Sequence, residues 1–403
     1  MYKSKNHSHV LSNVLLSVLT LCGMSGAASV LADAANQPDE SLYTAVAQDP
    51  LLTPALEAPM AARTLLLDIT QAGDRLVAVG EHGNIVYSDD LGKHWAQASV
   101  PVSTNLTAVT FVGPELGWAV GHHGVILGTA DGGLTWELLF DGMDAGKQVI
   151  EAAQAEYEAA EAALESAGEA EQEAALERLD LADLALGDAL ASIEFGPAQP
   201  FMDVWFDSET EGMVVGSYGQ IFRTTDGGRT WSLWKHRIDN PNNYHFYGIK
   251  EEADNGLLYL VGEQGGVFRS ADRGRNWTAL NSPYHGSFYG VLTTRYAGEE
   301  VLLIYGFNGH LYRSTDAGES WQQIESGTRR SINDGLVMAD GSLVLVGNNG
   351  VVLHSRDGGK SFSKKVDAWE RPFVSIIGVE GDKLAMVGIT GARVISVSEA
   401  TLL

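Results

Sequence analysis

Residues 216–231 read GSYGQIFRTTDGGRTW. They join a Gly-x-x-Gly loop to a short strand-forming run and then to a turn of the form Ser/Thr-x-Asp-x-Gly-x-x-aromatic, known as an Asp box. In such a turn the carboxylate accepts backbone N–H groups, the glycine adopts a conformation that other residues resist, and the aromatic ring packs between sheets. Each of these residue types therefore has a scaffold role.

The same pattern recurs in register along the chain. Its first glycines stand 41, 95, 46, 44, 41 and 41 residues apart, and the gap of 95 is one period plus an insertion. Because propeller blades run about 40–50 residues and each period holds four strand-like runs, the repeats predict an all-β, seven-bladed β-propeller over residues 51–403. The six complete Asp boxes contain Asp90, Asp131, Asp226, Asp272, Asp316 and Asp357, and a seventh repeat keeps Gly388, Gly391 and Ser396.

The seventh repeat ends before an Asp box, so it lacks an outer strand. We expect Leu51–Ala58, which precedes the first inner strand, to pair with the last blade. That pairing would close the ring and protect its sheet edges.

Residues 143–196 interrupt the β pattern between blades 2 and 3. Apolar residues recur every seven positions, which predicts an antiparallel α-helical hairpin with a coiled-coil-like seam. The hairpin carries fourteen acids and two bases, and it follows a fourth strand, so we expect it on the same end as the Gly-x-x-Gly loops. It is either a solvated, self-paired arm or a partner-docking arm, for which Leu181 and Leu184 lie off the seam. The seam residues are Ile150, Tyr157 and Leu164, Ala153, Ala160 and Ala167, and Leu179, Leu186 and Ile193, with Leu176 and Leu190 on the neighbouring line.

The first residues have the pattern of an export signal. Lysines precede an apolar run from Val10 to Leu21, and an Ala-x-Ala-like cleavage site ends at Ala32. This pattern predicts a signal peptide at residues 1–32, an acidic leader at residues 33–50 and a soluble periplasmic product. Cys22 leaves lipoprotein processing open as a weaker alternative.

The formal net charge of −26 argues against binding nucleic acid through its phosphate backbone. Beyond the N-terminal apolar run, no stretch is long enough to predict a membrane span. We expect a monomeric ring without a cofactor.

One end of the predicted ring collects the Gly-x-x-Gly loops and the links from each fourth strand to the next first strand. These loops concentrate aromatic rings, histidines, amides and arginines, which are typical of binding surfaces on a rigid scaffold. Some of the rings, Phe246 and Phe288 among them, are equally expected to cap the blade cores. The partner-binding candidates on this end are His82, His122, His123, Tyr218, Gln264, Asn308, Asn349, Tyr244, His245, Tyr284, His285, Arg329, Arg330, Trp369 and Arg371.

Three further candidates, Arg223, Arg269 and Arg313, occupy the same slot just before the Ser/Thr of successive Asp boxes. Side by side they would form a positive stripe that recognises a carboxylate or an acidic peptide. The alternative is that their stems pack between blades and their head groups are satisfied there.

Metal binding and catalysis have weaker support. The histidines at positions 82, 122 and 123 lack the helical spacing of a zinc site, so we expect no metal. Asp boxes also occur in sialidases and other glycoside hydrolases, which is the alternative function. A sialidase needs converging arginines, yet the inner runs Leu106–Val112, Phe201–Phe206 and Phe373–Ile377 contain none. Nothing marks Glu81 and Glu263 as the carboxylate pair of another glycosidase.

The run GQIFRTTDGGRTW at residues 219–231 resembles the repeat of the photosystem II stability/assembly factor family of BNR propellers. The likeness covers about residues 51–403 apart from the helical insertion. It implies an exported, non-catalytic assembly chaperone, with Arg223, Arg269 and Arg313 matching an arginine patch that binds a membrane-protein segment. Relatives in non-photosynthetic bacteria are often encoded near RND-type exporters, and the acidic hairpin departs from the photosynthetic pattern. The resemblance therefore implies an envelope or membrane protein as partner, for example an RND-type exporter.

Overall fold

The computed structural model describes residues 49–194, 199–252, 255–367, 369–380 and 383–396. The predicted signal peptide and nearly all of the predicted leader lie outside the described residues.

The described strands form seven antiparallel sheets, six with four strands and one with three. Each sheet is a meander in chain order from the inner to the outer strand. Blades 1 and 2 contain β1 (Leu66–Ala72), β2 (Arg75–Gly80), β3 (Ile85–Ser88), β4 (Ala96–Gln97), β5 (Leu106–Val112), β6 (Leu116–Gly121), β7 (Ile126–Thr129) and β8 (Glu137–Phe140). Blades 3 and 4 contain β9 (Phe201–Phe206), β10 (Gly212–Gly216), β11 (Ile221–Thr224), β12 (Ser232–Leu233), β13 (Phe246–Glu251), β14 (Leu258–Gly262), β15 (Val267–Ser270) and β16 (Thr278–Ala279). Blades 5 to 7 contain β17 (Phe288–Tyr296), β18 (Glu299–Gly306), β19 (Leu311–Ser314), β20 (Gln322–Gln323), β21 (Ile332–Val337), β22 (Leu343–Gly347), β23 (Val351–Ser355), β24 (Ser363–Val366), β25 (Phe373–Val379), β26 (Lys383–Gly388) and β27 (Arg393–Ser396).

The sheets close into a ring. Each inner strand packs against the inner strand of the next blade, and β25 of the last blade packs against β1 of the first. The core lies between neighbouring blades, because each sheet buries side chains on both faces. At the closing junction, Leu66 and Ala78 of blade 1 share an apolar cluster with Ala385 and Val387 of blade 7. The prediction of a seven-bladed propeller is confirmed.

The prediction that Leu51–Ala58 pairs with the last blade is wrong. This segment lies along the outer edge of blade 1, where Ala55 N donates to Val100 O over 3.0 Å. The Gln97 side chain accepts from Ala58 N and donates to Leu56 O. These hydrogen bonds extend the outer edge of blade 1 beyond the two residues of β4. The ring closes instead through the packed inner strands of the first and last blades.

The Asp boxes have the predicted hydrogen bonding, as the turn around Asp316 illustrates. One carboxylate oxygen of Asp316 accepts from Ser314 Oγ and Ser320 N, and the other accepts from Ser320 Oγ over 2.6 Å. These side-chain bonds lower the pKa of Asp316 to about 2. Gly318 adopts a left-handed conformation with φ near 89°, as the turn requires.

The insertion consists of two helices that pack together, α1 (Gly142–Ser166) and α2 (Gln172–Glu194), as predicted. We call this pair the arm. None of the helices within the described ranges is both long and apolar enough to cross a membrane. The seam differs from the prediction in one respect, since Leu176 and Leu190 are exposed. Ala160 is buried as predicted, and Ala182 and Ala189 are buried in place of the two leucines, because small side chains let two helices approach closely.

The arm is anchored at its base. Asp141 caps α1 by accepting from Met143 N and Asp144 N. Two turns later, Gln148 donates to Trp231 O over 2.7 Å and accepts from Leu233 N over 2.9 Å. The arm therefore begins beside the Gly-x-x-Gly loop of blade 2, and its first turns lie against the outer strand of blade 3.

Candidate binding surface

The side chains predicted from the Gly-x-x-Gly loops share one backbone position. The third residue of each of the first six loops lies in the left-handed region, with φ between 52° and 58°. Non-glycine residues rarely adopt this conformation, so its recurrence shows that the loop geometry fixes it. The loops therefore present six side chains on rigid turns, where most of them are exposed. These six are His82, His123, Tyr218, Gln264, Asn308 and Asn349.

A row of rings crosses blades 3, 4 and 5 at this loop-bearing end. Tyr218 and His245 have ring centroids 5.0 Å apart, His245 and Tyr247 are 6.3 Å apart, and Tyr247 and Tyr289 are 5.5 Å apart. Every pair is edge-to-face, the arrangement that aromatic rings favour. We call Tyr218, His245, Tyr247 and Tyr289 the aromatic row.

The row is held in place by hydrogen bonding and partial burial. The backbone N–H of Tyr218 donates to His245 Nδ1 over 2.8 Å, so the ring proton of a neutral His245 resides on Nε2. The Tyr218 side chain is 54% exposed and available to a ligand. Burial raises the pKa of Tyr247, with a smaller contribution from Glu263, and burial also raises the pKa of Tyr289. Both phenols therefore stay neutral donors at ordinary pH.

Two residues of the row, Tyr247 and Tyr289, were not among the sequence candidates. Each directly follows a fully buried phenylalanine at the start of an inner strand, Phe246 or Phe288. Each tyrosine stands at an irregularity in strand pairing, between Phe246 and Gly248 or between Phe288 and Gly290, where regular alternation does not apply. The available signal was the Phe-Tyr-Gly sequence that both inner strands share. Phe307 was also missed as a candidate, and it is 44% exposed in the loop of blade 5.

Several aromatic candidates turn out to stabilise the blades. Phe246 and Phe288 are core residues, as the capping interpretation expected. Tyr284 is half-buried and stacks on His310 with centroids 3.9 Å apart. Tyr244 is 37% exposed, but its backbone is fixed by two hydrogen bonds with the Asn240 side chain. His285 is exposed beside them.

A cationic groove lies next to this surface, where blade 6 meets the links on either side. Its open volume is about 260 Å³. The guanidinium groups of Arg329 and Arg330 are exposed and have no hydrogen-bond or ion-pair partner among the described residues. The side chain of Lys364 donates to Gly327 O, and Glu370 is the one carboxylate in the lining. The groove therefore offers two arginines to an anionic group. Its lining residues are Gly327, Thr328, Arg329, Arg330, Asn349, Val351, Lys364, Val366 and Glu370.

Arg371 has a different role from its neighbours. It forms a bidentate ion pair with the buried Asp367, with both distances 2.8 Å. The hydrogen bond from Arg371 is the main reason that the pKa of Asp367 falls to about 2. This pair holds the link that carries Trp369, whose side chain is 78% exposed. Arg371 thus positions the link, and Trp369 is the accessible residue.

The predicted histidines do not come together as a metal site. His82 is exposed in blade 1, and His123 Nδ1 lies 2.6 Å from Thr104 Oγ1 in blade 2. Burial, together with the neighbouring His123, lowers the pKa of His122. Within the described ranges, no three His, Cys, Asp or Glu side chains are arranged to hold a metal ion.

The carboxylates considered for a glycosidase are used by the scaffold. Glu81 accepts from Leu65 N over 3.2 Å, and Glu263 accepts from His245 N over 3.3 Å. Each carboxylate therefore fixes the start of an inner strand of its own blade.

Arg223, Arg269 and Arg313 lie at the opposite, Asp-box end of the ring, because each stands at the end of a third strand. Arg223 pairs with Glu211 over 2.9 Å and its side chain is 11% exposed. Arg269 donates to Ala317 O over 2.8 Å and pairs with Glu319. The structure therefore favours the packing interpretation over an exposed positive stripe.

Arg269 and Arg313 belong to a wider pattern of contacts between blades. Arg313, which is buried, donates through Nε to Gly358 O over 2.8 Å. In five successive junctions, a side chain of one blade donates to a carbonyl in the Asp box of the next. The donor and acceptor pairs are Arg75 with Gly132, Trp118 with Gly227, Trp234 with Gly274, Arg269 with Ala317, and Arg313 with Gly358.

Comparison with known proteins agrees with this architecture. A curated relative, the photosystem II assembly protein Ycf48 of Synechococcus sp. (strain JA-2-3B'a(2-13)), is 30% identical over 152 residues. That match covers 36% of this chain and 41% of the relative's length. Two solved structures share the fold, each with a TM-score of 0.57. One is YCF48 bound to D1 peptide, at 16% identity, with 87% of this chain and 98% of that chain covered. The other is YCF48 from Cyanidioschyzon merolae, at 14% identity, with 83% and 96% covered.

The family comparison spans more than half of the chain. The model described as photosynthesis system II assembly factor YCF48 matches residues 87–150 and 188–342. The unmatched gap falls within the arm, so the repeats carry the likeness. The chain belongs to the YCF48 family of photosystem II assembly factors.

Proposed function

We propose that this protein is an exported, non-catalytic assembly factor that holds an extended segment of a cell-envelope protein on its loop-bearing end. The observation that carries the proposal is the aromatic row together with the neighbouring cationic groove. Both lie on one end of a rigid ring, and the row crosses three blades.

An extended polypeptide suits this surface better than a small molecule. The groove is open, and the row is a line of rings that crosses three blades, a shape that suits an extended ligand. Apolar and aromatic side chains of a segment can pack on the exposed ring of Tyr218, and its acidic side chains or C-terminal carboxylate can pair with Arg329 and Arg330. A related structure, YCF48 with a D1 peptide, supports a peptide as the ligand class.

The location and the partner are further parts of the proposal. The charged and apolar pattern of residues 1–32 supports export, which would place the loop-bearing end in the periplasm. The resemblance to non-photosynthetic members supports an RND-type exporter, or another envelope complex, as the protein that receives assistance. A membrane protein presents such extended segments at its termini and in its loops.

Site-specific photocrosslinking tests this proposal. A photoreactive phenylalanine analogue would replace Tyr218, and in a matched control it would replace Arg229, which is exposed at the Asp-box end of the same blade. We expect crosslinks from position 218 to an envelope or membrane protein, identified by mass spectrometry, and few from position 229. Equal crosslinking at both positions, or crosslinks confined to cytoplasmic proteins, would contradict the proposal.

A further inference from the structure

The outer face of α2 carries large apolar side chains that the fold does not use. Leu176, Leu181, Leu184 and Leu190 are 51%, 62%, 63% and 54% exposed. A solvated helix normally turns polar residues outward and keeps leucine for the packed face. Four leucines at this exposure therefore require an explanation beyond the stability of the arm.

These leucines are separate from the contact between the two helices. The face of α2 that meets α1 consists of Leu179, Ala182, Leu186 and Ala189, which are buried or half-buried. At 100° per residue, the exposed leucines spread over an arc of roughly 180° on the remaining surface. Leu181 and Leu184 stand three positions apart, so they are neighbours on the helix surface.

Acidic residues surround the exposed leucines. Glu177, Asp180, Asp183 and Asp188 share this side of α2, and in the described structure none of them forms an ion pair. The two bases of the arm are engaged elsewhere, Lys147 with Asp144 and Arg178 with Glu156. At 100° per residue these acidic side chains lie between the leucines, so each exposed leucine has negative charge beside it.

We infer that this face of α2 binds a basic amphipathic helix of a partner protein. Such a helix would bury its apolar stripe on the neighbouring Leu181 and Leu184 and place lysines or arginines beside the acidic residues that flank them. Two other ligands for this face, a second copy of the chain and a lipid surface, are disfavoured by charge. A second copy of this chain, formally −26, and an anionic lipid surface would both bring like charges together.

The base of the arm supports a docking role. Capping by Asp141, burial of Ala145 and the two hydrogen bonds of Gln148 fix the first turns of α1 to blades 2 and 3. A fixed arm loses less conformational freedom on binding than a loose one. Leu176, Leu181 and Leu184 also lie in the gap of the family match, residues 151–187, so they are additional to the repeats that define the family.

The test uses the mature full chain and a synthetic helical peptide with leucines on one face and lysines on the other, followed by fluorescence anisotropy. L181Q/L184Q removes apolar area but keeps all charges, and D180N/D183N keeps the leucines. A matched control, E161Q/E165Q, removes two charges from α1 at exposed positions. Glutamine is a good helix former, and circular dichroism checks that the helices persist.

We expect L181Q/L184Q to weaken peptide binding by at least about tenfold, since two leucines lose apolar contact. D180N/D183N should weaken it by roughly three- to tenfold, and the control by less than about threefold. A scrambled peptide of equal composition should bind much more weakly. Equal binding of the scrambled peptide, or unchanged binding by L181Q/L184Q, would overturn the inference.

The alternative occupants have their own readouts. Sedimentation would detect self-association that L181Q/L184Q abolishes, and flotation with phosphatidylcholine vesicles would detect lipid binding that the same variant abolishes. Either result would overturn the inference in favour of that occupant. None of these measurements depends on crosslinking from position 218, so this inference and the proposed function can fail separately.

Discussion

Asp68 in the first blade and Ser375 in the seventh are joined by a 2.8 Å hydrogen bond across 307 positions of sequence. The same Ser375 hydroxyl lies 2.9 Å from Asp334 in the sixth blade. One hydroxyl carries one proton for two carboxyl groups, so this arrangement favours a proton on one of them. Burial raises the pKa of Asp68 to about 7 and also raises the pKa of Asp334, which favours the same protonation.

We expect the free energy of unfolding to fall as the pH rises from about 4 to about 7. The reason is that Asp68 has a raised pKa in the folded state, whereas the unfolded chain loses this proton near pH 4, so protonation favours the fold. The effect should be of order 1–2 kcal/mol. Urea denaturation across this pH range measures it.

D68N provides the comparison for this prediction. The variant should be less stable than the wild type at pH 5, because an amide cannot accept every bond of the carboxylate, but its stability should vary less with pH. D203N is a useful second variant, because burial raises the pKa of Asp203 to about 6. If the unfolding free energy of D68N fell with pH as steeply as that of the wild type, the prediction would be contradicted.

Replacing Arg313 should destabilise the ring more than replacing Arg269. Arg313 is 7% exposed and its removal leaves the carbonyl of Gly358 without its donor. We expect R313M to cost about 1–3 kcal/mol of unfolding free energy, and R269M, which is more exposed, about 1 kcal/mol or less. Chemical denaturation measures both values. If the two variants lost equal unfolding free energy, burial of the arginine would not determine its contribution to stability.

The Asp-box carboxylates should make the protein sensitive to acid in a separate, lower pH range. The pKa of Asp316 is lowered to about 2, mainly by the hydroxyls of Ser320 and Ser314. Its stabilising contribution is present above pH 4 and is lost as the pH falls towards 2. D316N should therefore be less stable than the wild type by about 1 kcal/mol at pH 7, after allowance for solvent exposure. The difference in stability between D316N and the wild type should vanish near pH 2. A difference that is the same at pH 2 and pH 7 would contradict a stabilising role for the ionised Asp316.

The Gln148 side chain should decide how firmly the arm is held. Its amide satisfies the N–H of Leu233 and the carbonyl of Trp231 on the edge of blade 3. Q148L removes both bonds, so we expect faster amide hydrogen exchange in the first turns of α1 and unchanged exchange in the blades. Q154L makes the same chemical change at an exposed position and serves as the control. Equal effects of the two variants would show that Gln148 is not the anchor.

The repeats predicted the number of blades, their Asp-box turns and the helical insertion, because each depends on local spacing. The location of Leu51–Ala58 could not be predicted in the same way. It depends on contacts between distant segments, such as the hydrogen bond from Ala58 N to the Gln97 side chain 39 positions away, which local spacing does not show.

The site was predicted less completely than the fold. The position of Tyr218 in its loop predicted that its side chain is exposed. No local sequence pattern shows that the guanidinium groups of Arg269 and Arg313 donate to carbonyl groups of the next blade. The partners of these residues lie 45 to 48 positions away. Tyr247 and Tyr289 share a local signal, the sequence Phe-Tyr-Gly at the start of an inner strand. Their distance from each other across two blades could not be predicted from it.

The arm leaves and re-enters the ring at nearly the same place. The rings of Phe140, at the end of β8, and Phe201, at the start of β9, have centroids 6.5 Å apart. In other blades a loop joins the fourth strand directly to the next first strand, as between β4 and β5, so the ring does not need the arm to connect its blades. The length or the charge of such an insertion can change during evolution, or the insertion can be lost. The binding partner of a YCF48-type ring could change in this way while the seven blades keep their fold.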